Sequence, residues 1–298
     1  MTVRFDPQRL LEWPVPEAKQ VLTRRDVALY ALSVGFGRDP LDATQLRYVD
    51  PWSPDLTPLP SMALAMGYPG FWLGDPALGL DAKRILHVGQ SIEILAPLPV
   101  EGQVTGRTRV TALVDRGADK GALLFSQRDV SDAHGRPFAR LSQTHMLRGI
   151  GGFDSFGPQP QAPRRTEPSA ACAVIDIPTR PEQALLYRLN GDSNPIHSDP
   201  VIAASAGFQA PILHGMCSFA LLTKGLVGVL CEDKPERLQT LSMRFTGIVY
   251  PGETLRAHVF RDGSFRASIV ERNATVIDFG STALASSQEK APLPSHAF

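Results

Sequence analysis

The run Tyr187-Arg188-Leu189-Asn190-Gly191-Asp192-Ser193-Asn194-Pro195-Ile196-His197-Ser198-Asp199-Pro200 places a carboxylate, Asp192, five positions before an imidazole, His197. Such a pair can carry water chemistry at neutral pH, because one group can take a proton while the other gives one. A bare Asp and His at this distance is a weak signal. An aspartate in a turn ordinarily closes an Asx-turn or caps a helix, and a lone histidine is ordinarily structural. The surroundings sharpen the signal. Gly191 and Pro195 shape the backbone, Asn194 lies between the pair, and a second run, Pro211-Ile212-Leu213-His214-Gly215-Met216, follows. The residue before a proline avoids the α region. Asn194-Pro195 therefore predicts a turn that brings Asp192 and His197 to one side.

The elements that must hold these residues can be read around them. A short helix is predicted over Ala184 to Asn190, a loop at Gly191, and another short helix over Val201 to Ala206. Gly215 then opens a segment, ending near Leu230, that is apolar on nearly every side: Met216, Phe219, Leu222, Leu226, Val227 and Leu230. A helix apolar all round is a buried helix. Its first turn offers unpaired N–H groups and the positive end of the helix dipole. With no Cβ, Gly215 lets a ligand atom approach its N–H closely. A carbonyl oxygen that gains negative charge during a reaction would be stabilised there. These parts suit addition of water to an α,β-unsaturated thioester. The carbonyl is polarised at the helix start while Asp192 and His197 hold the water, one removing its proton and the other delivering a proton to the α-carbon. Simpler roles stand beside these: Asn194 as a turn residue, Gly215 as a helix-start glycine and His214 as a structural histidine.

Bulk properties set the limits. The chain has 298 residues, a formal net charge of zero, 43% apolar residues and 20% charged residues. That composition fits a soluble globular protein of one large or two ordinary domains. Neutrality gives no electrostatic footprint for nucleic acid, and no uncharged run is long enough to span a bilayer. Cys172, Cys217 and Cys231 are too few and too scattered for a disulfide framework. They read as reduced thiols, with Cys217 and Cys231 as small core residues. No early segment resembles a cleavable leader, and Ser295-His296-Ala297-Phe298 is not a Ser-Lys-Leu address. The cytoplasm is the expected compartment.

The two halves of the chain echo each other. Tyr30-Ala31-Leu32-Ser33 matches Tyr187-Arg188-Leu189-Asn190, and Ile92-Glu93-Ile94 matches Met243-Arg244-Phe245, each of the latter followed by a Pro/Gly turn and another strand. Further strands are predicted over Thr105–Val114, Gly121–Val130 and Phe138–Leu147, and again over Leu255–Phe260, Phe265–Glu271 and Thr275–Ala283. Two antiparallel meanders, each wrapping one buried helix and packed as a pseudo-dimer, satisfy these patterns with an α+β fold. Under the first match, Gly35 and Pro40 occupy the places of Asp192 and His197, so only the second half holds the chemistry.

The Tyr187–Pro200 and Pro211–Met216 runs resemble the R-specific enoyl-CoA hydratase family, also called hydratase 2 or MaoC-like dehydratases. Leu86-His87-Val88-Gly89-Gln90 followed by Pro97-Leu98-Pro99 is similar to the first half of its long, two-repeat members. The resemblance implies a double hotdog fold, with a non-catalytic repeat over 1–150, a surface linker over 151–168 and a catalytic repeat over 169–298. It implies reversible hydration of trans-2-enoyl-CoA to (R)-3-hydroxyacyl-CoA on an acyl-CoA thioester, with no metal and no redox cofactor. Carried over by position, Asp192 and His197 form the catalytic pair, Asn194 supports the water or the thioester, and the Gly215 N–H forms the oxyanion site. Ser193, where many members carry a bulkier residue, and His214 would line the substrate. Arg244 would reach the CoA phosphates. The resemblance also implies a reduced central helix in the first repeat, which agrees with the short run Leu59 to Met66 before Gly67-Tyr68-Pro69-Gly70. A homodimer is expected. Two other functions fit the same fold class: an acyl-CoA thioesterase, and a non-catalytic acyl-CoA-binding subunit. A divalent-ion site from Asp192, His197, Asp199 and His214 lacks any helical ligand spacing.

Overall fold

The computed structural model describes residues 4–158 and 170–285. Its first half contains α1 (Pro7–Leu11), β1 (Ala18–Leu22), α2 (Arg24–Ser33), α3 (Leu46–Val49), β2 (Ile85–Ile94), β3 (Gly102–Asp115), β4 (Ala122–Asp132) and β5 (Pro137–Leu147). The second contains β6 (Ala173–Pro178), α4 (Gln183–Tyr187), α5 (Pro200–Ser205), α6 (Gly215–Cys231), β7 (Leu238–Phe245), β8 (Thr254–Val259), β9 (Ser264–Ile269) and β10 (Ala274–Leu284). The strands join in one antiparallel sheet of order β1-β3-β4-β5-β2-β7-β10-β9-β8-β6.

That order is a palindrome once β2 is equated with β7, β5 with β10, β4 with β9, β3 with β8 and β1 with β6. The symmetry can be located residue by residue. Matching Ile92 with Met243 makes Ser91 the counterpart of Ser242, and these two lie directly opposite each other where β2 pairs with β7. In a two-fold contact a residue on the axis meets its own counterpart. The other sequence match behaves the same way. The Tyr30 and Tyr187 rings meet edge to face with centroids 6.1 Å apart, and Asn190 Nδ2 donates to Ser33 Oγ at 2.8 Å.

The symmetry fails at the centre of each half. α6 runs for 17 residues and packs against β6, β7 and β2. Its counterpart is a 3-10 turn over Pro60–Leu64. Proline at 58 and 60 and again at 69, with Gly67 at φ 55, leaves no room for a longer helix. Gly67 also rests on Gly106 of β3, where a Cβ on Gly67 would fall 2.5 Å from the Gly106 nitrogen. This contact fixes the path of the chain into Tyr68.

One apolar core runs through both halves and includes Tyr30, Leu64, Ile92, Tyr187, Phe219, Leu241 and Phe265. A smaller one, built on Leu10, Leu73, Leu78, Leu113, Leu124 and Leu147, lies within the first half. Cys217 and Cys231 are buried in α6 and Cys172 is exposed. Most of the expected linker, 159–168, lies outside the described residues, as does the C-terminal run 286–298. Residues 151–158 are anchored: Phe156 and Leu113 exchange main-chain hydrogen bonds of 2.8 and 2.9 Å. No helix among the described residues is long and apolar enough to cross a membrane.

Candidate active site

The motif folds as a chain of local turns. α4 tightens into a 3-10 turn over Arg188–Asn190 and stops at Gly191, whose φ of 109° only glycine adopts readily. The chain then reverses through Asp192 to Asn194. Asp192 Oδ1 accepts from the Asn194 main-chain N–H at 3.2 Å, and Asn194 Oδ1 accepts from Ile196 N–H at 3.2 Å, capping a second 3-10 turn over Pro195–His197. Asp199 caps α5 through Val201 and Ile202. Each step uses a residue type suited to it, so the turn is encoded within the motif.

This turn sets His197 against the loop before α6. His197 Nδ1 lies 2.8 Å from the Ile212 carbonyl oxygen. A carbonyl only accepts, so Nδ1 carries the hydrogen, and Nε2 of the neutral ring keeps its lone pair. The ring stacks on His214 with centroids 3.8 Å apart. Asp192, His197 and His214 each present an atom within 4.8 Å of the others. Two hydrogen bonds of about 2.8 Å to one water span a gap of that size. A groove of about 420 Å³ opens at His197, lined among others by Ala184, Gln209, Ala210, Pro211 and Tyr250.

Burial shapes the electrostatics. It raises the Asp192 pKa, against the pull of His197, and lowers that of His197, against the pull of Asp192. Both shifts weaken the charged forms, so proton exchange between the two groups costs little. His214, only 1% exposed, is pushed down to about 2 by burial and by His197. It stays neutral. α6 starts directly after it, with no side chain capping the helix N-terminus. A Cβ on Gly215 would lie 3.4 Å from the Phe245 ring, in ordinary contact.

The expected residues therefore divide. Asp192, His197, His214 and the start of α6 come together. Asn194 serves the turn through Oδ1 and its main-chain N–H. Ser193 is exposed at the turn's tip. Arg244 lies apart from this cluster. It follows Met243 and precedes Phe245 on β7, and side chains alternate across a strand. Phe245 faces Gly215 and Met243 is buried, so exposed Arg244 points to the opposite side, over the Phe279 ring at 5.4 Å.

Two residues that the motif does not announce adjoin the pair. Tyr68 lies against Gly191, where a Cβ would fall 3.9 Å from its ring, and burial together with the Asp192 charge keeps its hydroxyl protonated. Behind it stands Arg128, whose guanidinium is 5.3 Å from the Tyr68 ring centroid. Both come from the first half. The signal for Arg128 was its phase on β4, in step with buried Leu124 and Val130. At the counterpart of Asp192, Gly35 offers only its carbonyl, which accepts from Lys224 Nζ.

Among the described residues, Asp192, His197 and His214 are the group that could hold a divalent ion. A metal-bound histidine normally donates its other ring N–H to a partner. His197 has one in Ile212, but neither ring nitrogen of buried His214 meets a partner in good hydrogen-bond geometry, although the Asp192 main chain lies near enough to act on it. The fit to a metal is poor.

Comparison with known proteins matches residues 156–278 to the MaoC like domain and residues 21–149 to the MFE-2 hydratase 2 N-terminal domain. The chain is 35% identical to a protein of Arabidopsis thaliana named "Enoyl-CoA hydratase 2, peroxisomal", over 92% of this chain and 94% of that one. It is 37% identical to "3-hydroxyacyl-thioester dehydratase Y" of Mycobacterium tuberculosis, over 82% and 84%. Among solved structures, a MaoC-like dehydratase from Phytophthora capsici superposes with a TM-score of 0.82 at 30% identity, covering 94% of this chain and 99% of that one. A Mycobacterium tuberculosis protein described as a double hotdog fold matches with a TM-score of 0.55 at 17% identity, over 91% and 94%, a likeness of fold alone. With its palindromic sheet, its single long central helix and these relatives, the chain is a double hotdog protein that belongs to the MaoC-like dehydratase family, in its two-repeat hydratase 2 form.

Proposed function

We propose that the protein reversibly adds water to trans-2-enoyl-CoA to give (R)-3-hydroxyacyl-CoA, a hydro-lyase reaction, with Asp192 and His197 as the acid–base pair. The observation that carries this reading is the convergence of the two half-buried groups, within 4.8 Å of each other, beside the uncapped first turn of α6. The names of the relatives support the same reaction.

The geometry supports the following steps. The thioester arm enters along the groove at His197. Its carbonyl oxygen meets the Gly215 N–H at the helix start, where the dipole stabilises charge that develops as the reaction proceeds. That draws electron density from C3. A water held between Asp192 and His197 Nε2 adds its oxygen to C3, one of the pair taking its proton while the other returns a proton to C2. Dehydration reverses these steps. His197 cannot turn, because Ile212 holds Nδ1, so Nε2 is the nitrogen at which protons arrive and leave. Asn194 positions Asp192 and the turn, His214 packs behind His197, and Ser193 lies at the rim.

The same reading assigns the chemistry to the C-terminal repeat, 169–298, and a support role to 1–150. Self-association as a homodimer and a cytoplasmic setting belong to it also. The end strands β1 and β6 each carry an exposed valine, Val21 and Val174, at the open edges of the sheet.

Purified protein with crotonyl-CoA or a longer trans-2-enoyl-CoA is expected to bleach the enoyl-thioester ultraviolet absorbance with no added metal or redox cofactor. Chiral analysis should give the (R)-product. Release of free CoA, read with a thiol reagent, at the expense of hydration would instead mark a thioesterase.

A further inference from the structure

The inner face of the N-terminal sheet is polar where its counterpart is apolar. The strand register gives the equivalence. Ser91 pairs with Ser142, and Ser142 with Gln127. Across the axis, Ser242 pairs with Ser281, and Ser281 with Ser264. Gln127 and Ser264 are therefore counterparts, and so are the residues after them, Arg128 and Phe265. Phe265 is a core residue. The chain thus puts a guanidinium, 5% exposed, where its own second repeat puts a phenyl ring.

Among the described residues this cation has no anion. Nη2 donates to the Leu64 carbonyl at 2.5 Å, in the 3-10 turn that stands in for the missing helix. Nε has no partner. The neighbouring Asp129 lies on the other face of β4, engaged by Arg109 and Arg140. The titratable groups that bear on Arg128 are Tyr68 and Tyr187, both neutral at physiological pH. Two more buried polar atoms on this inner face lack partners: Ser126 Oγ, two residues along β4, and His145 Nδ1, on β5 opposite Leu124. A buried charge without a counter-charge is costly, and such a group calls for an explanation. Its place supplies one. The Tyr68 ring neighbours both the guanidinium and the Asp192 carboxylate, so one aromatic residue links Arg128 to the site.

We propose that Arg128 receives a carboxylate at the far end of the acyl group, so that the substrates are enoyl-CoA thioesters whose chain ends in a carboxylate rather than a methyl. The inference rests on the enoyl-CoA reading for the pose of the thioester. The guanidinium fork pairs with a carboxylate through two parallel hydrogen bonds, and its free Nε edge is available for this.

The test compares two trans-2-enoyl-CoA series of matched chain length, one ending in methyl and one in carboxylate. At the best chain length, wild type is expected to favour the carboxylate by roughly thirtyfold or more in kcat/KM, the scale of a desolvated charge pair. Arg128→Met should abolish or invert that ratio, the carboxylate substrate losing far more than the methyl one, and Arg128→Lys should keep part of it. A variant that merely disturbed the turn at Leu64 would lower both substrates together. Hydration of the methyl series with no preference for carboxylate, or equal losses in Arg128→Met, would overturn this proposal and leave the hydratase reading standing. Failure to hydrate either series would overturn the hydratase reading. Calorimetric binding of the matched saturated acyl-CoAs would then decide on Arg128 alone, tighter binding of the carboxylated one supporting it and equal binding ending it.

Discussion

At the scale of residues, the site is two proton-exchanging groups held by main-chain atoms. Asn194 N–H orients Asp192, and the Ile212 carbonyl fixes the His197 tautomer. Burial lowers the His197 pKa, so the neutral ring should persist below the usual histidine range near 6.5. The acid limb of kcat/KM is accordingly expected at a pH below about 6.5, as an apparent value belonging to the Asp192–His197 pair. A midpoint at or above that value in a pH–rate profile would contradict the burial described here. Asn194→Ala should lower stability by about 1 kcal/mol through loss of the cap, measured by urea denaturation, and should slow turnover by releasing the turn. These residues were legible in the sequence because the motif is contiguous and contains its own turn chemistry. Tyr68 and Arg128 were not, since nothing local places them beside Asp192 from the other repeat. For Arg244 the strand β7 was legible, while the face it occupies is set by which neighbours turn toward α6.

At the scale of elements, α6 carries both stability and reactivity. Phe219 is fully buried in its second turn. Phe219→Ala should cost about 3–5 kcal/mol, the range for a large core ring, read as a shift in the denaturation midpoint. Gly215→Ala is expected to separate the two roles. The added Cβ meets the Phe245 ring first, at 3.4 Å, and Gly215 has no positive φ. Stability should change by less than about 1 kcal/mol, while kcat falls because the methyl crowds the approach to the N–H. Unchanged kcat would remove Gly215 from the reaction. Most strands and both motif helices were legible from alternation and turn residues. The end strands β1 and β6 were not. β1 is short, follows Pro14 and Pro16, and includes exposed Lys19 and Val21, while β6 emerges from a proline-rich stretch. Only the sheet edge they complete identifies them as strands.

At the scale of the whole molecule, the two repeats share one sheet through β2 and β7, so neither half closes its core alone. The echo in the sequence was enough to locate the axis at Ser91 and Ser242, but could not say which inner faces are covered. Four histidines gather around that junction: His87 stacks on His145 at 4.9 Å and touches Phe245 at 5.0 Å, while His197 stacks on His214. Burial lowers all four, His87 to about 4. Unfolded, they titrate near 6.5. Above that pH neither state is charged at these rings. Below it the unfolded chain binds protons that the folded one refuses, so stability falls as pH drops from about 6.5 toward the folded values. His87 alone accounts for about 3 kcal/mol by pH about 4. Asp192, raised by burial, acts in the opposite sense over the window above its ordinary pKa. Melting temperature is expected to drop by several degrees between about pH 7.5 and 5.5, less steeply in His87→Gln; a flat profile would contradict this.

The central claim is that Asp192 and His197 act as one unit on one water. The most direct test is the kcat/KM for enoyl-CoA hydration of Asp192→Asn, His197→Ala and the double variant, with circular dichroism showing that each is folded. Each single change is expected to cost about a hundredfold or more. The double variant should be no worse than the poorer single, since groups that act together are not additive. Full activity in both singles, or losses that simply multiply in the double, would contradict the account.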